Sequence, residues 1–309
     1  MKITAAIVSY NTSRLLGECL ESLTGDGGLD VWVVDNASSD GSADLVRTGF
    51  PRAKLVASPE NVGYGRAVNL VAQRARDWDW LVIANADTAP EPGSIDALLA
   101  AASADPEAGV LAPRLIRPDG STQHSLHQFW SPSFALAFNL GWYRVSDRWA
   151  DRNCIEGRWD PNRPRRAPWA VGAFLLVRRR AWEAVGGFDP DRWLYAEDVD
   201  LAWRMREAGW WTRYVPEARV RHEGSAATQP LWGEAVTERW MAASYDWMLR
   251  RRGVARTRSV AAINVLGALA RWHGSRRPER LVFRRWAALH AIGLRSRDGI
   301  RSRMPKPPS

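Results

Sequence analysis

The chain has 309 residues, 46% apolar and 25% charged, the balance of a folded globular protein with room for one large domain or two ordinary ones. Those figures exclude collagen-like, disulfide-scaffold and multi-span membrane classes. The net charge of +9 points toward nucleic acid or an anionic membrane, but it is unevenly held. Residues 239–309 carry 16 Arg, one Lys and three acids, a net of +14, which leaves −5 on the first 238 residues. A mildly acidic body with a basic tail, and no recognisable nucleic-acid module, argues against a nucleic-acid partner.

Strand and helix signals alternate through the first third. Ile3–Val8 is a short apolar run, followed by Thr12/Ser13 as a helix cap and an amphipathic stretch to Leu23. Val31–Val34 is a second buried strand, and a Ser/Asp/Gly turn after it opens a helix to Thr48. Lys54–Ala57 is a third strand, followed by a loop at Pro59–Gly63 and a helix through Arg76. Trp80–Ala84 is a fourth, and Pro92 opens the next helix at its first turn. This rhythm predicts a doubly wound, mostly parallel α/β sheet. Beyond Val110 come a hairpin around Pro118-Asp119-Gly120, an irregular Trp- and Arg-rich loop region at 127–168, a strand at Trp169–Val177, a helix at Glu197–Ala208 and a strand at Trp211–Val215. From Leu231 the pattern is helical. The expected division is a catalytic domain at 1–228, split into nucleotide-sugar (1–110) and acceptor (111–228) halves, and a basic helical region at 229–309.

Cys19 and Cys154 lack paired spacing and read as buried thiols of a reducing compartment. Met1-Lys2 leads straight into a strand-like run, without the pattern of a secretory leader. The longest stretch free of Asp, Glu, Lys and Arg, Gly120–Tyr143, holds two His, two Gln, an Asn and a Pro, too polar for a membrane span.

Ligands of open α/β sheets bind outside the carboxyl ends of the strands. Here those ends carry Ser9-Tyr10, Asp35-Asn36 and Asn85-Ala86-Asp87. Such side chains accept hydrogen bonds from a base or ribose, or bind a hard cation, although Asp-Asn also suits a plain turn. There is no dinucleotide fingerprint or phosphate-binding loop, so a bound diphosphate would need a metal or Arg. Further along, Glu197, Asp198 and Asp200 crowd a helix start. The helix dipole alone would favour acids there, whereas an apolar setting of Trp193, Tyr195, Leu201 and Trp203 would raise a carboxylate toward a working base. His222 follows the strand-like Ala218–Arg221 and reads as a structural histidine or a ligand.

The ordered motifs Ile7-Val8-Ser9-Tyr10-Asn11, Val33-Val34-Asp35-Asn36-Ala37-Ser38-Ser39-Asp40-Gly41-Ser42, Asn61-Val62-Gly63-Tyr64-Gly65, Asn85-Ala86-Asp87, Gly186-Gly187-Phe188-Asp189 and Glu197-Asp198-Val199-Asp200 resemble the inverting family-2 glycosyltransferases of GT-A fold. Within that family, Gly63–Asn69, Pro92–Leu99, Leu175–Arg179 and Trp210–Pro216 are similar to the actinobacterial rhamnosyltransferases, which transfer L-rhamnose from dTDP-rhamnose to decaprenyl-diphospho-N-acetylglucosamine in the cell-wall linker. The resemblance implies a Rossmann-like, mostly parallel sheet flanked by helices, with a C-terminal helical extension. It implies that Val8, Ser9, Asp35, Asn61, Gly63, Arg66, Asn85 and Asp87 bind the nucleotide sugar. Asp87 and His222 would hold Mn²⁺ or Mg²⁺, Glu197 and Trp169 the acceptor, and Asp198 would be the general base. Asn85 stands where the family's metal motif has its first Asp, which weakens the expected metal affinity and keeps a non-catalytic sugar-binding subunit as an alternative. UDP-galactofuranose or UDP-N-acetylglucosamine are alternative donors.

In the tail, Arg280–Arg295 as a helix places Val282, Phe283, Trp286, Leu289 and Gly293 on one side and Arg284, Arg285 and Arg295 opposite. The two readings are a helix packed on the body, and an interfacial helix on an anionic membrane surface. The second, with a polyprenyl-diphosphate acceptor, gives the expected location: cytoplasmic, peripheral on the inner membrane face.

Overall fold

The computed structural model describes residues 1–25, 28–224, 229–276 and 279–307, and the chain divides into two compact units. The first takes in Met1–His127 and Pro161–Leu231, the second Gln128–Asp160 and Trp232–Lys306. The expected division sets its main boundary after residue 228; the second unit also takes in the segment 128–160.

In the first unit, β1 (Ile3–Ser9), α1 (Ser13–Thr24), β2 (Leu29–Asp35), α2 (Ser42–Gly49), β3 (Lys54–Ala57), α3 (Tyr64–Ala75) and β4 (Trp80–Asn85) alternate as expected. Strands β3-β2-β1-β4 lie side by side, all parallel. Leu81, Val82, Ile83 and Ala84 are fully buried, which fits a strand covered on both faces. Helix α1 turns Leu16, Cys19, Leu20 and Leu23 inward at the 3–4 spacing of an amphipathic helix. Its N-terminus is capped otherwise than expected. The Thr12 hydroxyl bonds Ser9 Oγ at 2.9 Å, and the Ser13 N–H donates to Asp40 Oδ2 at 2.8 Å.

Then come β5 (Thr88–Pro90), α4 (Ser94–Ala104), β6 (Ala108–Ile116) and β7 (Leu126–His127). Helix α4 starts two residues after Pro92 because Gly93 takes φ +79°, outside the helix. The expected hairpin is a tight turn at Arg117–Ser121 closed by a single bridge, Ile116 to Thr122. Past the segment given to the second unit come β8 (Arg165–Ala167), β9 (Trp169–Ala170), β10 (Phe174–Arg178), α8 (Arg179–Val185), α9 (Glu197–Glu207) and β11 (Trp211–His222). Among the described residues the sheet has nine strands, running on as β4-β10-β6-β11-β5 with β8 against β11. It is mixed rather than purely parallel, since β10 runs antiparallel between β4 and β6. The run expected as one strand at Trp169–Val177 is two, because β9 pairs with β7 in a separate ribbon while β10 joins the main sheet.

The second unit is helical: α5 (Pro132–Asn139), α6 (Trp142–Val145) and α7 (Asp147–Arg152), then, after α10 (Gln229–Trp232), α11 (Val236–Arg252), α12 (Val254–Gly274), α13 (Glu279–Ala291) and α14 (Arg297–Arg301). The segment expected as loop thus contains three short helices. Asn139 joins α5 to α12: its amide donates to Asn264 Oδ1 at 2.7 Å, and Arg271 donates to its Oδ1 at 2.9 Å. Gly267 leaves room for that contact, since a Cβ there would lie 1.9 Å from Asn139 Oδ1. Helix α13 buries Ala287 and Leu289, leaving Leu281 (69% exposed), Val282 and Trp286 outside beside the exposed Arg284 and Arg285. Among the described residues, no helix is long and apolar enough to cross a membrane.

Candidate active site

The register of the parallel strands sets Ser9 opposite Asp35 and Val8 opposite Asn85, so the polar strand ends meet at one edge. A cleft of about 290 Å³ opens there, lined by Val8, Asn61, Asn85, Asp87, Glu197, Asp198, His222 and their neighbours. A larger hollow, about 570 Å³, lies at the opposite end of the sheet, at the amino ends of β6 and β11. Arg166 in its wall is already paired with Asp105 and Glu107, so the chemistry belongs to the smaller cleft.

Asp87 and His222, 135 positions apart in sequence, meet because β5 and β11 pair with Thr88 opposite His222. The Glu223 N–H donates to the Asp87 carbonyl at 3.1 Å, and His222 Nε2 lies 3.5 Å from Asp87 Oδ1. His222 Nδ1 bonds Gln123 Oε1 at 2.6 Å. An amide oxygen only accepts, so Nδ1 carries the proton and the lone pair of the neutral ring is on Nε2. Nε2 is buried and makes no hydrogen bond. Donor atoms bound at right angles to one divalent ion of this size stand roughly 3 Å apart, so the Asp87–His222 spacing fits two adjacent ligands. Among the described residues no group of three or more His, Cys, Asp or Glu is placed to hold a metal, so the remaining ligands would have to come from outside that set.

Across the cleft, α9 begins after Tyr195 and Ala196, which take φ of +66° and +64°. Two non-glycine residues in the left-handed region store about 1–3 kcal/mol each, the kind of strain kept where function requires it. They turn the chain so that Glu197 and Asp198 line the cleft. Asp198 Oδ2 accepts the Gly172 N–H at 3.0 Å, and Oδ1 accepts the Val199 N–H at 2.7 Å. Burial raises Asp198 above the ordinary carboxylate range, and those N–H groups pull against the rise. Burial, with the Asp198 charge adding to it, pushes Glu197 up to about 8, and Glu197 Oε2 is buried without a hydrogen-bond partner. Asp200 differs: it is fully buried and pairs with Arg204 at 2.7 Å and Arg192 at 3.9 Å. Of the four neighbours expected around the acids, Trp193 and Tyr195 line the cleft.

Several expected residues lie outside the lining. Ser9 is buried and bonded to Thr12. Asp35 is buried, accepts the Ser38 N–H at 3.1 Å through Oδ2, and has Oδ1 without a partner; its neighbour Asn36 lines the cleft. Arg66 donates to the Pro190 carbonyl at 2.6 Å. Trp169 is buried and stacks on His127, whose imidazole burial holds neutral by pushing its pKa down to about 3. Asn61 Oδ1 accepts the Gly63 N–H, and Gly63 at φ +87° is irreplaceable because a Cβ would lie 2.3 Å from the Trp193 carbonyl oxygen. The Gly186-Gly187-Phe188-Asp189 motif works as a clamp: Asn69 bonds both the N–H and the carbonyl of Phe188.

Sequence reasoning missed Gln123 and Gly172, and it placed Tyr64 only within the Asn61–Gly65 motif, without a role of its own. Gln123 carries no local signal. Gly172 did, since an isolated glycine inside a strand pattern marks a break or a close approach.

A sheet of this order, with its cleft at the carboxyl ends of the strands, has the GT-A architecture of nucleotide-sugar glycosyltransferases. Residues 4–181 match the family model described as Glycosyl transferase family 2. The N-acetylglucosaminyl-diphospho-decaprenol L-rhamnosyltransferase of Mycobacterium tuberculosis is 38% identical over 236 residues, 72% of this chain and 76% of that protein. Two solved structures share the fold. One is the mannosyltransferase PcManGT of Pyrobaculum calidifontis with GDP-Man and Mn²⁺ (TM-score 0.56, 18% identity, 97% of this chain and 86% of that one). The other is TarS 1-349 of S. aureus with UDP (TM-score 0.54, 12% identity, 98% and 83%). The chain belongs to glycosyl transferase family 2 and is a glycosyltransferase.

Proposed function

We propose that the enzyme transfers L-rhamnose, with inversion, from dTDP-L-rhamnose to a polyprenyl-diphospho-N-acetylglucosamine acceptor in cell-wall linker synthesis. The observation that carries the reading is the 38% identity, over 236 residues, to the mycobacterial rhamnosyltransferase. The donor occupies the strand-end side, where the buried Asp35 carboxylate accepts from the thymine ring and the Asn61–Gly63 loop packs the nucleotide. Asp87 and His222, with Asn85 beside them on the donor side, would hold a divalent cation. Such a cation neutralises the charge that develops on the departing nucleoside diphosphate.

Asp198 takes the proton of the attacking acceptor hydroxyl. Its two backbone N–H bonds fix the carboxylate in one orientation, and its raised pKa moves its basicity toward that of a working base. Attack on the face opposite the diphosphate, with one base, inverts the anomeric centre. Glu197, kept protonated to about pH 8, donates a hydrogen bond to the acceptor. Trp169, stacked on His127, backs the acceptor side without lining the cleft.

The second unit holds the enzyme peripherally on the anionic inner face of the membrane, where the polyprenyl chain resides. Supporting this are the exposed Leu281, Val282 and Trp286 of α13 among Arg280, Arg284 and Arg285, and the exposed Leu136, Leu140, Trp142 and Val145 of the α5–α6 segment. The deciding experiment is a turnover assay with dTDP-rhamnose and a short-chain lipid-diphospho-N-acetylglucosamine, with and without Mn²⁺ or Mg²⁺, run beside UDP-galactofuranose and UDP-N-acetylglucosamine. Metal-dependent transfer from dTDP-rhamnose supports the reading. Transfer only from a UDP-sugar, or donor binding without transfer, overturns it.

A further inference from the structure

The break between β9 and β10 concentrates the wiring of the cleft on three residues. The Val171 N–H donates to the Ser125 carbonyl at 2.9 Å, two residues from the glutamine that orients His222. The Asn85 N–H donates to the Ala173 carbonyl at 2.8 Å. Between them, Gly172 is held on both sides: its N–H donates to Asp198 Oδ2 at 3.0 Å, and its carbonyl accepts the Tyr64 hydroxyl at 2.9 Å.

Glycine is the residue whose two backbone torsions are least restrained by its own covalent structure. An N–H meant to orient a carboxylate is therefore only as well placed as the contacts that fix the glycine, and Tyr64 supplies the side-chain contact. Tyr64 is itself fixed at several points. Its N–H donates to the Trp193 carbonyl at 3.1 Å, its ring meets Phe188 edge-on at 6.1 Å, and it opens α3 directly after the Asn61–Gly63 loop. Trp193 Nε1 in turn donates to the Asn61 carbonyl at 3.0 Å. Burial, with Glu197 and Asp198 nearby, keeps the phenol protonated and able to donate.

We propose that Tyr64 is a positioning residue: through the backbone of Gly172 it sets the orientation of the Asp198 carboxylate, so that the donor-side loop and the base move as one piece. This rests on Asp198 being the base. Satisfying a buried carbonyl would be reason enough for one tyrosine hydroxyl, but it would not predict coupling between Tyr64 and Asp198, and coupling is what the test reads.

Tyr64→Phe removes the hydroxyl and little else. It should lower kcat about 10- to 100-fold, the cost of a misplaced catalytic group, with the KM for dTDP-rhamnose within about 3-fold of wild type. In an Asp198→Asn background the same change should alter kcat less than about 2-fold, because two groups acting as a unit are not additive. Wild-type kcat in Tyr64→Phe, or an equal loss in both backgrounds, overturns the proposal. Gly172→Ala is the second variant: its Cβ would lie 3.2 Å from Asp198 Cβ, and it should lower kcat with the same split. A crystal structure of Tyr64→Phe decides the point whatever the donor proves to be. A Gly172 N to Asp198 Oδ2 distance beyond about 3.5 Å supports the proposal, and an unchanged bond overturns it. A wild-type enzyme inactive on dTDP-rhamnose would sink the donor assignment while leaving that structural result to stand.

Discussion

Asp246, in the middle of α11, is wholly buried and pairs with Arg250 at 2.9 Å and Arg301 at 3.3 Å. At the start of α9, Glu197 is buried and Asp198 half-buried, yet among the described residues neither forms an ion pair; Asp198 has backbone N–H groups instead. The helical unit treats a buried acid as a fold element and neutralises it. The cleft leaves two acids side by side with raised pKa values, an arrangement that costs stability and is kept for chemistry. Both treatments occur within α9 itself, since Asp200, two residues past Asp198, carries Arg204 and Arg192.

Substituting on each side of that divide separates rate from stability. Asp198→Asn should lower kcat on the order of 10²–10⁴-fold while dTDP still binds by calorimetry and the Tm stays near wild type. Turnover within a few-fold of wild type would show that another group takes the proton. Asp200→Ala should do the reverse. It leaves Arg192 buried beside a lost counter-charge and should cost about 3–5 kcal/mol in urea unfolding. A loss below about 1 kcal/mol would remove the contrast.

The first four strands were legible to within two residues, because each is a short, mostly apolar run whose end is marked by a polar side chain. The acids of α9 were legible for the same local reason. What the sequence could not show were encounters made by long-range pairing. His222 reaches Asp87 through the β5–β11 register, Gln123 reaches His222 from beyond a turn, and the 128–160 segment folds with helices more than seventy residues further on. The amphipathic reading of the tail put Leu289 and Gly293 on one apolar side with Val282 and Trp286. The structure divides that side: it buries Leu289 and Gly293, where a Cβ would collide with the Tyr245 ring, and leaves Val282 and Trp286 exposed.

Gln123→Ala tests whether the His222 side of the cleft behaves as a ligand set. Losing a partner that orients a ligating imidazole typically costs 10- to 100-fold in metal affinity, so the Mn²⁺ concentration for half-maximal turnover should rise by that factor. No change would detach Gln123 and His222 from the metal. Glu197→Gln probes the unneutralised pair by pH. A carboxyl whose folded pKa is about 8 against an ordinary value of 4.5 contributes stability that is complete below about pH 4.5 and is lost as pH rises through 8. Glutamine does not titrate, so the variant should melt at least about 2 °C above wild type at pH 9, with the difference closing toward pH 5. A constant offset across that range would mean that Glu197 ionises like an exposed acid.

The basic unit offers the smallest expected effect and the widest contrast with the cleft, because Arg284 and Arg285 of α13 face outward. Each Arg near an anionic surface contributes about 1 kcal/mol, so reversing both Arg284 and Arg285 to Glu should weaken co-flotation with vesicles rich in anionic lipid by at least about 10-fold at low salt. Arg285 also reaches Glu234, an exposed pair worth little in stability, so the fold should hold. Leu281→Glu, at a site 69% exposed, should add to the loss if α13 dips into the interface, and should add nothing if its Arg residues only hover above it. Screening sharpens the same distinction. At 1 M salt, where charges interact over only about 3 Å, binding that survives in wild type but not in Leu281→Glu belongs to the apolar residues of α13 rather than to its charge.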